Sequence, residues 1–528
     1  MSDKAQKEPQ TWHKSIYIDE VQNNQDRFQK FMTFTYSSTK ASALMLLAAV
    51  VALAVANTGL YGDFLGFWNT EVGFVVVDRY AGMSLAHIIN DIFMAVFFLL
   101  VGLEIKYEMT AGDLTNFRQA LLPIIAAFGG VLAPIAIYAA FNGGFPDTQH
   151  GWGIPTATDI AFALGVLSLL GNRVPNGVRV FLSTLAVADD IIAIIVIAMF
   201  YGHSPSFVWL ACVVAVVLVL VAMNRMHVYS LLPYLLVGVV LWYCVFMSGV
   251  HSTIAGVLLA FTIPAGSRIN LRQFIGWSAY EAKRAGESYN PDVHVSAQGE
   301  YIETVSNLSH VARQVVPPAT RLEHKLYPWV YFGILPLFAL TNADVSLLGS
   351  GVMELVDNPV FFGVFLGLLV GKPLGILLSS FVVVKLGVSK LPENTGWIHM
   401  AGAGLLGGVG FTMAIFVANL AFPDAGHVVN AKLAILLASA TAGVVGFTFL
   451  AAKAKVEQRR GIAYLTTNPA CTVRQTAGAE AAERSKELLD RIDSPLARQE
   501  IEEAQKNSPR GVTEVVVELG EDQKFGGR

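Results

Sequence analysis

Twelve apolar stretches, each about the length of a bilayer-crossing helix, constrain this 528-residue chain more than any other feature of it. They fall at 41–60, 85–105, 121–141, 152–170, 178–201, 206–222, 230–248, 250–264, 326–344, 358–384, 398–420 and 431–451. The eighth is short and follows its neighbour across a Ser248-Gly249 turn. Only 14% of residues are charged, against about 25% in soluble domains. The expected class is therefore an all-α integral membrane protein with twelve transmembrane helices.

Loop charges test the count, because Lys and Arg collect on the cytoplasmic side. With the N-terminus inside, the inner connections hold Lys106, Arg118, Arg173, Arg179, Arg225, Arg268, Arg272, Lys283, Arg284, Arg313, Arg321, Lys325, Lys385 and Lys390. The outer ones hold Arg79 and, at a rim, Lys432. Fourteen against two favours cytoplasmic N- and C-termini, and an odd number of spans would scramble the alternation. The expected layout is an N-terminal arm (1–40), spans 1–8 (41–264), a cytoplasmic insertion (265–325), spans 9–12 (326–452) and a cytoplasmic tail (453–528). In the insertion, Ile302, Val305, Leu308 and Val311 recur at helical spacing and predict an amphipathic helix on the inner face of the bundle. The tail carries 13 basic and 13 acidic groups and offers no recognisable chemistry.

Other classes are excluded early. A net charge of −4 provides no surface for nucleic acid. Cys212, Cys244 and Cys471 make neither a disulfide framework nor a zinc spacing. The first 40 residues lack the apolar core of a cleavable signal peptide.

An ionisable group at membrane depth costs at least about 2.5–3.5 kcal/mol, so each one must face a cavity or a partner. Asp189 and Asp190 lie mid-run in FLSTLAVADDIIAIIVIAMF, Asp159 in PTATDIAFALG and Lys372 in GLLVGKPLGILL. Asp91 opens NDIFMAVFFLLVG, while Glu104 and Lys106 close that run near the interface. Adjacent residues on a helix point about 100° apart, so the Asp pair can line one cavity and meet different partners. Two carboxylates so close cannot both ionise cheaply, which suits a site for protons or a cation. Lys372 is the natural counter-charge. Pro373 should kink its helix, and Gly363, Gly367, Gly371 and Gly375 allow close backbone approach.

Two runs look interrupted: 152–170, with Pro155, Thr156, Thr158 and Asp159, and 400–412, which contains AGAGLLGGVGFT. Unwound backbone at membrane depth is tolerated only beside protein or a cavity, and one broken helix in each half of a chain points to a transport site. Asp159 could offset the positive helix ends there and Lys372 the negative ones.

These motifs resemble the NhaA family of bacterial sodium/proton antiporters over about residues 30–452. The likeness rests on NDIFMAVFFLLVGLEIK (90–106), GWGIPTATDIAFALGVLSLLGNRVP (151–175), LAVADDIIAIIVIAMFY (185–201), SGVHSTIAGVLLAFTIP (248–264), RLEHKLYPWV and ILPLFALTNADVSL (321–347), GKPLG (371–375) and GGVGFTMAIF (407–416). The resemblance implies two discontinuous, crossing helices and inverted repeats. It implies electrogenic export of Na+ or Li+ for external protons, in pH and sodium homeostasis, by a protein of the inner membrane. It implies that Asp190 is the main cation ligand, that Asp189 is the partner of Lys372, and that Thr158 and Asp159 belong to the unwound crossing. Asp91 matches an acidic position near the cytoplasmic funnel, grouped here with Glu104; Glu323 and His324 match a pH-sensing cluster. A homodimer is implied only by resemblance, and no cofactor is required. Tyr327 and Thr320 stand where some members carry His and Lys, which bears on the pH set point.

The main alternative is a sodium-coupled solute symporter, which broken helices would fit equally well. An intramembrane aspartyl protease could also use two membrane Asp residues, but these are adjacent on one helix and no Gly-x-Gly-Asp motif occurs. A membrane scaffold with buried ion pairs would show no flux.

Overall fold

The computed structural model describes residue 27 and residues 34–459, apart from 77–78, 116, 203–204, 268 and 346–357. Most of the N-terminal arm, and the tail from residue 460 with Cys471, lie outside the described residues.

Helix α1 (Ser38–Ala56) begins the bundle. Residues 61–84 hold no run of spanning length, and there the chain forms a short helix, α2 (Tyr61–Trp68), and an antiparallel hairpin of β1 (Glu71–Val76) and β2 (Arg79–Ser84), with Glu71 opposite Ser84. Next come α3 (Leu85–Thr110), α4 (Phe117–Asn142), α5 (Ile160–Leu169), α6 (Asn176–Phe200), α7 (Phe207–Arg225), α8 (Leu231–Met247) and α9 (Ile254–Thr262). Two amphipathic helices follow, α10 (Leu271–Ser288) and α11 (Gly299–Val315). Helix α12 runs as Pro318–Trp329, a π turn Val330–Ile334, then Leu335–Asn342. The chain continues through α13 (Pro359–Lys385), α14 (Trp397–Gly407), α15 (Phe411–Ala421) and α16 (Ala425–Arg459).

Among the described residues, eight helical segments are long and apolar enough to cross a membrane, counting α5 together with the turns that precede it from Gln149, or nine if the bent pair α14 and α15 counts as one span. The other three runs form α8, which is 17 residues long, the 9-residue α9, and the interrupted α12. A 9-residue helix covers about 14 Å, half the hydrocarbon core. Lys106 explains how α9 can stop there: its ammonium donates to the carbonyls of Phe261 (2.8 Å) and Ile263, at the negative end of that helix. Several helices turn apolar side chains outward. Phe207 and Val208 of α7 are 83% and 74% exposed, an arrangement suited to lipid rather than water.

Small residues set the closest contacts. An added Cβ on Gly375 would lie 2.0 Å from the Gly129 carbonyl oxygen, and one on Gly371 would lie 3.0 Å from Pro134 Cα. The glycines of α13 thus let α4 and α13 pack backbone to backbone. Pro373 removes a donor one turn above Leu369, and the backbone widens into a π turn at Gly367–Gly371 immediately before Lys372. Gly375→Ala should drive the two helices apart and displace Lys372, one turn away. The expected cost is about 1–3 kcal/mol of stability, read as a lower melting temperature in detergent together with loss of transport.

The expected helix in the insertion forms as α11, but its partner differs from expectation. It packs on α10, with the rings of Tyr289 and Tyr301 5.2 Å apart and Arg284 3.4 Å from Glu300. Helix α11 turns Thr304, Leu308 and Val311 inward while Ile302 and Val305 stay exposed. The four apolar residues span about half the helix circumference, too wide an arc for one contact face.

Candidate functional site

Two breaks in the helices meet inside the bundle. The first ends a run of 3-10 turns, Gln149–Thr156, and passes through extended Ala157 (φ −79°, ψ 146°) to Asp159 (φ −95°, ψ 98°), where α5 begins. The second, at 408–410, separates α14 from α15, whose axes differ by 45°. The Asp159 N–H donates to the Val409 carbonyl at 2.7 Å, so the breaks are bonded to each other.

The Asp159 carboxylate serves two helix N-termini. One oxygen accepts from the Phe162 N–H of α5 at 3.0 Å; the other accepts from the Thr412 N–H (3.1 Å) and hydroxyl (2.6 Å) in the first turn of α15. Both termini carry partial positive charge, which a buried carboxylate offsets. Lys372 takes the opposite sign. Its ammonium donates to the Thr156 carbonyl, at the end of the first half-span, and to Asp189 Oδ2 at 2.6 Å. The Thr158 hydroxyl lies 2.5 Å from the same Asp189 oxygen and 3.1 Å from the Gly407 carbonyl. It has one proton, so it donates to one of them at a time.

Asp189 and Asp190 are each 2% exposed on α6. Among the described residues, neither Asp189 Oδ1 nor Asp190 Oδ1 has a hydrogen-bond partner. Their directions differ as adjacent helical positions require: Asp189 meets Lys372, whereas Asp190 lines a cavity with Asp159, Thr158, Thr412, Glu104 and Tyr331. The cavity measures about 10 Å³, room for a single water or bare cation and too small for an organic solute in this conformation. A buried carboxylate oxygen without a donor is costly unless the group is protonated or holds a cation. The arrangement can therefore exchange one for the other.

The comparisons with known proteins agree with this chemistry. The family model described as Na+/H+ antiporter 1 matches residues 32–450. The chain belongs to the NhaA family of Na+/H+ antiporters. It is similar to the Na+/H+ antiporter NhaA of Wolinella succinogenes, 42% identical over 433 residues, covering 81% of this chain and 94% of that one. NhaA of Helicobacter pylori strain J99 is 46% identical over 426 residues, with 79% and 94% covered. NhaA 2 of Syntrophotalea carbinolica is 43% identical over 428 residues, with 80% and 96% covered. Membership together with the apolar helices makes this a multi-pass membrane protein of a transporter family, not an enzyme family.

In this member of the NhaA family, not every residue singled out in the sequence joins the centre. Asp91 does not group with Glu104: they stand thirteen positions apart on α3, about 20 Å of helix. Asp91 sits instead in the first π turn, Ile88–Phe93, near the hairpin, 3.6 Å from His87 and accepting from the Ser252 hydroxyl at 3.2 Å. Glu323 and His324 lie at the opposite end, in the polar turns of α12 that precede its apolar stretch. Burial raises the Glu323 carboxyl above the usual range; His324 opposes this and Glu108 adds to it. Thr412 was not picked out by sequence reasoning, although a lone Thr just after the glycines of the second break was a usable signal. Tyr331 had none, because its partner lies 227 positions away.

Proposed function

We infer that this protein exchanges Na+ for protons across a membrane, with both ions competing for the buried carboxylates of α6. The observation carrying the reading is that Asp190, one of whose oxygens is buried without a donor, lines an ion-sized cavity while its neighbour Asp189 pairs with Lys372. A solute symporter would need a larger chamber, and the matched relatives bear the name antiporter.

Deprotonated Asp190 takes the cation, with the Thr158 hydroxyl and Asp159 as adjacent oxygen donors. As positive charge arrives, Asp189 turns from Lys372, and the buried Lys372 releases its proton. Protonation from the other side reverses both changes. Two protons for one cation make the exchange electrogenic, so that membrane potential drives Na+ or Li+ export. The twelve runs act as twelve spans, with the half-helices flanking 157–159 and 408–410 crossing at mid-membrane as parts of inverted repeats. The protein sits in a bacterial inner membrane with both termini and the 265–325 insertion cytoplasmic, and works as a homodimer in pH and sodium homeostasis. Glu323 and His324 lie on the path by which cytoplasmic pH reaches the centre, and Asp91, at the other end of α3 from Glu104, lies toward the external mouth and not at the cytoplasmic funnel to which the resemblance assigned it.

The test is proton movement in proteoliposomes or everted vesicles with an imposed pH gradient. Na+ and Li+ should collapse the gradient and choline should not. No Na+-dependent proton movement at any pH from 6 to 9 would overturn the reading.

A further inference from the structure

Tyr331 carries an inference that rests on the antiport reading and extends it. Its side chain is buried inside the π turn Val330–Ile334 of α12 and lines the same cavity as Asp190. Widened turns of this kind recur at functional positions, because they re-aim a side chain without ending the helix. The Tyr331 hydroxyl donates to Glu104 Oε1 at 3.4 Å. Its ring lies 4.3 Å from that of Tyr327, which stacks on Tyr36 at 5.5 Å and 17°. Tyr36 is 40% exposed and donates its hydroxyl to the His324 carbonyl at 2.8 Å. Three aromatic rings thus connect the protein surface to the cavity wall.

Glu104 needs such a neighbour. The charged groups acting on it are acids, Glu323 and Glu108, and it in turn acts on Asp190; among the described residues no basic side chain pairs with it. Carboxylates in that company repel one another and rotate apart unless a donor fixes them. Tyr331 is a neutral donor, and its ring is held in turn by Tyr327.

We propose that Tyr331 is a positioning residue for the transported cation: its hydroxyl aims Glu104 into the cavity as an outer carboxylate that passes Na+ to Asp190. The phenol supplies no charge itself, so its effect must travel through Glu104 and must fall on cation capture rather than on the exchange step.

Tyr331→Phe, Glu104→Gln and the double variant of the full chain, assayed for Na+-dependent proton flux in proteoliposomes, form the test. Phe keeps the ring contact with Tyr327 and removes only the hydroxyl. Tyr331→Phe should raise the KM for Na+ about fivefold, the scale of one lost hydrogen bond, with kcat within about twofold of wild type. Glu104→Gln should raise KM at least as much, and the double variant should match Glu104→Gln alone. An unchanged KM in Tyr331→Phe, a fall in kcat alone, or KM effects that multiply in the double variant would each overturn the proposal. Wild-type protein without Na+-dependent flux would instead overturn the antiport reading beneath it.

Discussion

Asp190→Asn should abolish Na+-driven proton movement, by at least about 100-fold, while leaving the protein at least as stable as wild type. Asn matches Asp in volume and can stay in place on α6, but it neither exchanges a proton at physiological pH nor offers a full negative charge to a cation. In the wild type, one Asp190 oxygen is buried without a donor, a state that opposes folding whenever the group is ionised. Removing the charge relieves that cost, so the melting temperature of purified protein should hold or rise as flux disappears. Loss of both flux and stability would mean that Asp190 has a structural partner. Near-normal flux would remove it from the transport site.

Lys372→Ala should behave in the opposite way. The Lys372 ammonium and Asp189 carboxylate are both about 1% exposed and 2.6 Å apart. Deleting one member of a buried pair strands the other, at a typical cost of about 3–5 kcal/mol. The variant should therefore unfold well below wild type in a thermal ramp. Because the stranded charge causes most of that loss, adding Asp189→Asn should recover much of the stability without restoring exchange. If Lys372→Ala alone melts like wild type, Asp189 is already neutral in the folded protein and the pair is not an ion pair.

These opposite expectations for Asp190 and for the Lys372–Asp189 pair come from a feature that was half legible in the sequence. The pair DD at mid-run, the lone Lys372 and the two interrupted runs could be read directly, since a charge or a glycine cluster at membrane depth has few explanations. That Asp189, not Asp190, meets Lys372 came only from resemblance; in the structure it follows from the direction in which α6 presents each residue. The double capping by Asp159 was legible only in outline. The positive helix ends could be expected from the breaks, but the Thr412 hydroxyl and N–H that answer the carboxylate depend on how the second break folds back on the first.

The fold divides in a similar way. Apolar runs place most helices to within a few residues, because bilayer thickness fixes their minimum length. Interruptions by π turns at Ile88–Phe93, Val330–Ile334 and Gly367–Gly371 leave no composition signal, since a widened turn uses the same residues as an ordinary one. All three nevertheless contain or adjoin a functional candidate: Asp91, Tyr331 and Lys372. The pairing of α10 with α11 was likewise hidden, because hydrophobic spacing identifies an amphipathic helix but not the surface that it meets.

Competition between Na+ and protons for one buried site is most directly measured as the pH dependence of Na+ binding to the purified full chain in detergent. If each bound Na+ displaces one proton, the apparent Kd should rise about tenfold for each pH unit of acidification below the site's pKa, and about 100-fold if two protons leave. Proton release on adding Na+ should appear in weakly buffered solution and vanish in Asp190→Asn. A Kd that stays constant across the pH range, with no proton release from wild-type protein, would contradict the account.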